Sequence, residues 1–358
     1  MKNLLLLSLC CLLIVSGSAS GGSLDETLQK MAGSAVQGYV SPIVTAFGTD
    51  LNGGWFHRAP AAEMYGFDLE FGLVAMGASM KNANTTIPGG VGGQFTFDDQ
   101  QSAQIAQSIP NWNLIPGAQQ QAIINKIATT PFNVQLTGPT IVGSKDDFVQ
   151  VKFPGQTITV NGQSFTIPDN VINTSVTGYL GTISTIPLAA PQLSIGTLVG
   201  TQLTFRWLPS YNNADYGKLK YFGFGIQHNP GIWFPQPLPV NLCLSFFTQS
   251  LDAGSIFTTK TTAFGINASK TFGPGALNIT PYAGFMLESS KMTFSYTSTL
   301  TLPNNAGTQL INVNLPLTGD DKSRLTVGLS IKILFLDINA DYNIGKYNSE
   351  TAGLMFII

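Results

Sequence analysis

From about residue 65 to the last residue, apolar side chains recur at every second position. The pattern is clearest in Leu325, Val327, Leu329, Ile331 and Ile333, which alternate with Thr326, Gly328, Ser330 and Lys332. The next stretch repeats it: Ile338, Ala340, Tyr342 and Ile344 alternate with Asp337, Asn339, Asp341 and Asn343. Successive side chains of a strand point to opposite faces, so each stretch has one apolar and one polar face. Val199, Leu203, Phe205 and Trp207 oppose Gln202, Thr204 and Arg206, and Phe222, Phe224 and Ile226 oppose Tyr221, Gly223, Gly225 and Gln227. Phe264, Ile266 and Ala268 form another apolar face, and Met292, Phe294, Tyr296 and Leu300 oppose Lys291, Thr293, Ser295 and Thr297. Leu277 to Leu287 and Leu310 to Leu317 are further strands, and the last runs through Ala352, Leu354 and Phe356 to Ile358.

An export signal precedes this pattern. Lys2 supplies the positive start, Leu4 to Val15 the apolar stretch, and residues 16–20 a small-residue cleavage region. We expect residues 1–20 to be removed. Cys10 and Cys11 lie inside the apolar stretch, after residues that suit lipidation poorly. No later segment approaches the roughly 20 apolar residues of a spanning helix. Many half-apolar strands behind an export signal predict an all-β fold, an antiparallel transmembrane β-barrel with its apolar face outward. At about ten residues per strand, residues 65–358 accommodate about 12–14 strands. Soluble sandwiches use the same alternation, but their strands are shorter, and here the polar face is mostly Gly, Ser, Thr and Asn. Charged residues are only 10% of the chain, against roughly 25% in a soluble domain.

The 17 basic and 19 acidic residues form no Lys/Arg cluster, which excludes an electrostatic case for nucleic acid. Once the signal is gone, Cys243 remains alone in a strand-like stretch, so no intramolecular disulfide is possible. Residues 24–48 are the best helical segment: Leu24, Leu28, Met31, Ala32, Ala35 and Val36 fall on one face, and Pro42 is expected to kink or break it. Asp50 to Gly54 reads as a turn. In the first strand Tyr65, Phe67, Leu69, Phe71 and Leu73 alternate with Gly66, Asp68, Glu70 and Gly72. Two carboxylates facing lipid would cost several kcal/mol, about 2–4 each near the midplane at most, so they are expected inside. Residues 21–64 thus read as an N-terminal helical hatch segment and 65–358 as the barrel, with a long outer-loop insertion around 81–130. That insertion carries two short helices, about 99–108 and 116–128, and strand-like segments return at 132–142, 147–153 and 157–167.

Several stretches resemble an uncharacterised family of exported outer-membrane barrels, a domain of unknown function. They are Asn52-Gly53-Gly54-Trp55-Phe56 leading into Tyr65-Gly66-Phe67-Asp68-Leu69, residues 196–209 (GTLVGTQLTFRWLP), Gly223-Phe224-Gly225-Ile226-Gln227-His228-Asn229-Pro230, and Thr280-Pro281-Tyr282-Ala283-Gly284. More distantly, the helix-then-barrel layout is similar to the long-chain fatty-acid outer-membrane transporter family. There a hatch plugs the barrel and precedes an Asn-Pro-Ala element. Here Arg58-Ala59-Pro60-Ala61 holds a comparable place, with Ala59 where that family has Asn. The resemblance implies a plugged barrel more strongly than a fatty-acid substrate.

The chemistry-bearing residues are few. His57 and His228 are the only histidines, so a His-rich metal site is excluded and a His/Ser pair is the one hydrolytic arrangement to consider. No G-x-S-x-G accompanies His228, which reads instead as a strand-end residue beside Trp233 and Phe234. Trp207, Trp233, Phe234, Phe246 and Phe247 read as interfacial girdles near strand ends. Asp320-Asp321 reads as a solvated loop pair. Asp68, Glu70, Gln202, Arg206 and Lys332 are expected to line the lumen, and His57, Arg58 and Pro60 to belong to the hatch. The expected function is uptake of a small apolar molecule through a plugged outer-membrane barrel, without catalysis, cofactor or metal. The expected partners are outer-membrane lipids, the barrel assembly machinery and a small apolar ligand. The alternative is a surface barrel that acts through its outer loops as a receptor or adhesin.

Overall fold

The computed structural model describes residues 22–87, 91–95, 99–178, 180–181, 183–213, 217–253, 257–301 and 308–358. The expected signal at 1–20 lies outside the described residues. The chain divides into two compact units: residues 41–83, 183–296 and 314–358 form one, and residues up to 40 with 84–182 and 297–313 form the other.

The first unit is built on a closed antiparallel ring. Its strands are β1 (Tyr65–Ser79), β8 (Thr185–Leu198), β9 (Thr201–Asn213), β10 (Gly217–His228), β11 (Asn241–Ala253), β12 (Phe257–Ser269), β13 (Leu277–Thr301), β15 (Ser323–Ile333), β16 (Leu336–Ile344) and β17 (Ser349–Ile357). Each pairs with the next, and β17 returns to β1 with Leu73 opposite Leu354. The ring therefore has ten strands, fewer than the 12–14 expected. Two misreadings account for the difference. The alternating stretches beginning at Leu277 and Met292 are one 25-residue strand, beside which β14 (Thr308–Thr318) pairs without entering the ring. The strand-like segments between 132 and 177 belong to the other unit. Alternation reports which residues share a face, not which sheet a strand joins.

The faces of the ring are sharply divided. Leu325, Val327, Leu329, Ile331 and Ile333 are exposed outward, while Arg324, Thr326 and Ser330 of the same strand are buried inside. The division inverts partway along several strands. On β13 the outward residues run from Leu277, Ile279, Phe285 and Leu287 to Ser289 and Lys291, while Met292 and Phe294 turn inward. On β11 they run from Leu242, Leu244 and Phe246 to Thr248 and Ser250, with Leu251 inside. Phe247 is fully buried, so it is not a girdle residue; it shares the inward phase of Ser245 and Gln249. Trp207 and Phe246 point outward from the middle of their strands rather than from the ends.

A helix, α1 (Gly22–Asn52), runs through Pro42 rather than stopping there. Proline in a helix costs about 3 kcal/mol. Beyond it, Ile43, Val44, Phe47 and Leu51 are all buried, and each such side chain recovers about 1.5–3 kcal/mol. Burial therefore outweighs the proline. Asp50 and Asn52, read as part of a turn, are the last residues of this helix.

The other unit contains a four-stranded sheet in the order β2 (Val91–Phe95), β3 (Phe132–Thr137), β4 (Phe148–Phe153), β7 (Asn170–Thr177), and a hairpin of β5 (Gln156–Val160) and β6 (Gln163–Ile167). Its helices are α2 (Asp99–Ala106) and α3 (Gly117–Thr129), with Ile123 and Ile127 fully buried. The first part of α1 is tied into it: Tyr39 Oη donates to Thr177 O at 2.7 Å, and the Ile141 amide donates to Tyr39 O at 3.0 Å.

Candidate functional site

The ring interior is occupied by residues 41–61 of the same chain. The segment follows from its composition. Ser41, Thr45, Ala46, Gly48 and Thr49 keep the helix slender, and Gly53-Gly54 ends it. Gly54 takes φ +65°, the left-handed conformation in which a side chain is strained. The chain then delivers Trp55 and Phe56, both almost wholly buried, against Phe247, Ala263, Tyr282 and Met286. Trp55 stacks on Phe247 with centroids 5.0 Å apart, and Phe56 meets Tyr282 edge-on at 5.9 Å. The wall makes room with glycine: a Cβ at Gly223 would lie 2.8 Å from Trp55 Cη2, and one at Gly284 would lie 2.6 Å from Phe56 Cζ.

The end of α1 is held by the wall. A helix leaves its last carbonyls unpaired and carries partial negative charge there. Arg324 Nη2 donates to Asn52 O at 2.5 Å and Arg206 Nη1 to Gly53 O at 3.0 Å. Leu51 O accepts from Trp55 Nε1 at 3.1 Å and from Gln249 Nε2. Arg206 also lies 4.2 Å over the Trp55 ring and donates to Gln192 Oε1 at 2.9 Å, and Arg324 pairs with Glu288 at 3.0 Å. Two buried guanidiniums thus meet the negative pole of the helix. Further up the helix, Thr49 Oγ1 donates to Asp321 Oδ2 at 2.6 Å. Asp321 also accepts from the Lys346 amide at 2.8 Å. It is a buried anchor, not a solvated loop residue.

A second ionic group follows the aromatic pair. Arg58 bridges Glu70 and Asp68, and His57 Nε2 lies 3.4 Å from Glu70 Oε2. Burial alone would lower the Arg58 pKa, but the charges of Glu70 and Asp68 outweigh it and hold it above its ordinary value. Ala59 N donates to Ser269 Oγ at 2.9 Å, and Asn229 Nδ2 donates to Pro60 O at 2.7 Å. Asp50 stands apart. No well-formed hydrogen bond reaches either carboxylate oxygen. Burial pushes its pKa well above the carboxylate range, and the Ala78 backbone offsets this only in part.

The structure brings Asp68, Glu70, His57 and Arg58 into one group, and Pro60 follows on the wall at Asn229. Arg206 and Gln202 are buried inside on the same strand, with Arg206 at the helix end. Lys332 is half-exposed near the end of β15, opposite Asp337. His228 contacts Thr201 Oγ1 at 2.9 Å and the Trp233 ring at 4.6 Å. Sequence reasoning missed Arg324, Glu288, Gln249 and Asp321. The first three occupy the polar phase of their strands, which is the signal that could have found them. Trp55 and Phe56 were visible only as part of a motif, with no sign of what they touch.

A model described as "Family of unknown function (DUF6588)" matches residues 1–358, and the chain belongs to that family. Nothing in this match links it to the fatty-acid transporters. No curated protein matches the chain.

Proposed function

For this member of a family of unknown function, we propose an outer-membrane barrel stoppered by its own N-terminal segment, which admits a small solute when that segment shifts. The observation that carries it is the combination of an apolar outer wall with an interior filled by residues 41–61. From Leu277 to Leu287, at about 3.3 Å per residue and a tilt near 40°, the outward apolar band of β13 is roughly 25 Å tall. That is the thickness of the lipid-facing band of an outer-membrane barrel. Behind the stopper the wall presents Gln192, Gln202, Thr204, Arg206, Ser330 and Asn339, all buried polar side chains. A lining of this kind suits a small polar solute better than the apolar one expected. The apolar rings inside are largely those of the stopper and the wall residues it covers.

The stopper is held by its buried apolar side chains, Ile43, Val44, Phe47, Leu51, Trp55 and Phe56, together with hydrogen bonds and charge pairs to the wall, each polar contact worth about 0.5–1.5 kcal/mol net when water can replace it. Membrane fractionation tests the location: the chain should sit in the outer membrane and run faster on gels unheated than heated. Recovery as a soluble periplasmic protein would overturn the reading. A second reading, a receptor or adhesin, is favoured by one observation, that residues 84–182 contribute to a compact unit with its own sheet. Binding of a partner that survives a blocked lumen and is lost on removing 99–128 would select it.

A further inference from the structure

We propose that Lys260 and Lys291 form a site on the outer wall for the phosphate of a lipid headgroup. The site rests on the reading of the barrel as membrane-spanning and adds the class of lipid it contacts. The two lysines stand directly opposite each other on β12 and β13, and both are exposed. Thr259 and Thr261 on one strand, and Ser290 and Met292 on the other, are buried, so both lysines point away from the interior. Like charges directly opposite on a sheet destabilise it. No ion pair among the described residues neutralises either lysine. Glu288, three residues from Lys291, is buried on the inward face with Arg324, and the carboxylates nearest on the outer side are Asp252, diagonal to Lys260 and itself opposite Lys220, and Asp320 beyond Gly319. A third lysine, Lys322, flanks the pair: its carbonyl accepts from the Glu288 amide at 2.8 Å, and its Nζ donates to Gly319 O at 3.0 Å.

The position of the pair says what the charges meet. Reading along β12 and β13, the outward cross-strand pairs are Phe264–Leu287, Thr262–Ser289, Lys260–Lys291 and Thr258–Thr293. The first is apolar and exposed. The second is joined hydroxyl to hydroxyl at 3.1 Å. The third is cationic. Two residues advance a strand by about 6.6 Å, so the lysines lie about 13 Å along the strand from the apolar pair, or about 10 Å in height once tilt is included. Acyl chain, ester and phosphate follow the same order in a lipid leaflet. The wall also inverts at this level, since Met292 and Phe294 turn inward where Lys291 and Thr293 face out. Apolar-out gives way to apolar-in where lipid gives way to water. An anionic phosphate between the two ammonium groups removes their repulsion, and long lysine side chains reach it readily.

The test uses the full chain refolded into vesicles of phosphatidylcholine containing a minor fraction of phosphatidylglycerol. Lipids retained after detergent extraction are counted by native mass spectrometry. The wild-type barrel should retain phosphatidylglycerol over phosphatidylcholine. Each lysine at an anionic surface strengthens binding about fivefold, so K260Q/K291Q should weaken retention about twenty-five-fold. The charge-matched control K126Q/K145Q, on exposed residues of the other unit, should leave it unchanged. Equal retention by the two double variants would overturn the site while leaving the barrel reading intact. Failure of the wild-type chain to insert even into pure phosphatidylcholine would overturn the membrane reading and the site with it.

Discussion

At Gly54 a Cβ would lie 2.5 Å from Val74 Cγ1, on a backbone already at φ +65°. G54A should therefore destabilise the protein by about 2–5 kcal/mol, the sum of a left-handed side chain and overpacking. A lower urea midpoint of the refolded barrel checks it. Asp50 makes a pH prediction of the opposite kind. Its carboxyl is held protonated well above the range of the unfolded chain, so between those two pKa values the folded state binds more protons. Stability from this group is full below the unfolded pKa near 3.9 and is lost as pH rises through the folded value. D50N should then raise the melting temperature at neutral pH and make little difference in acid. An equal effect at both pH values would contradict the assignment.

At the scale of elements, α1 and its anchors are the decisive feature, and they show what a sequence can and cannot reveal. The strand faces were legible because burial imposes a period of two, and Glu70 and Arg206 could be placed on the polar phase without coordinates. The helix was legible up to Pro42, where a local rule says stop. The burial of Ile43 to Leu51 inside the ring is a tertiary gain that no local pattern carries, so the helix runs on to Asn52. The same limit applies to strand number. β13 continues past Leu287 with its faces exchanged, so its alternation could not separate one strand from two. At the helix end, R206A/R324A removes both guanidiniums from the last carbonyls. Hydrogen exchange should quicken in the last turn of α1 and at residues 53–55, while the amides of β15 to β17 stay protected. Uniform loss of protection would mean that the arginines hold the barrel itself.

At the scale of the molecule, ten strands make a ring that its own chain can fill. Small barrels are commonly packed by side chains; here the packing is a continuous segment, Ser41 to Ala61, set against wall glycines and capped by wall arginines. On the proposed reading, a filled ring whose outward apolar band is roughly 25 Å tall is closed at rest, and passage through it requires the segment to move. The measurement that tests this most directly is conductance across a planar bilayer, comparing the full chain with a variant lacking residues 24–61, each shown to be folded by heat-modifiable gel mobility. The intact barrel should be closed, and the shortened one should pass steady ionic current. A shortened barrel that folds and inserts but conducts no more than the intact one would contradict the account.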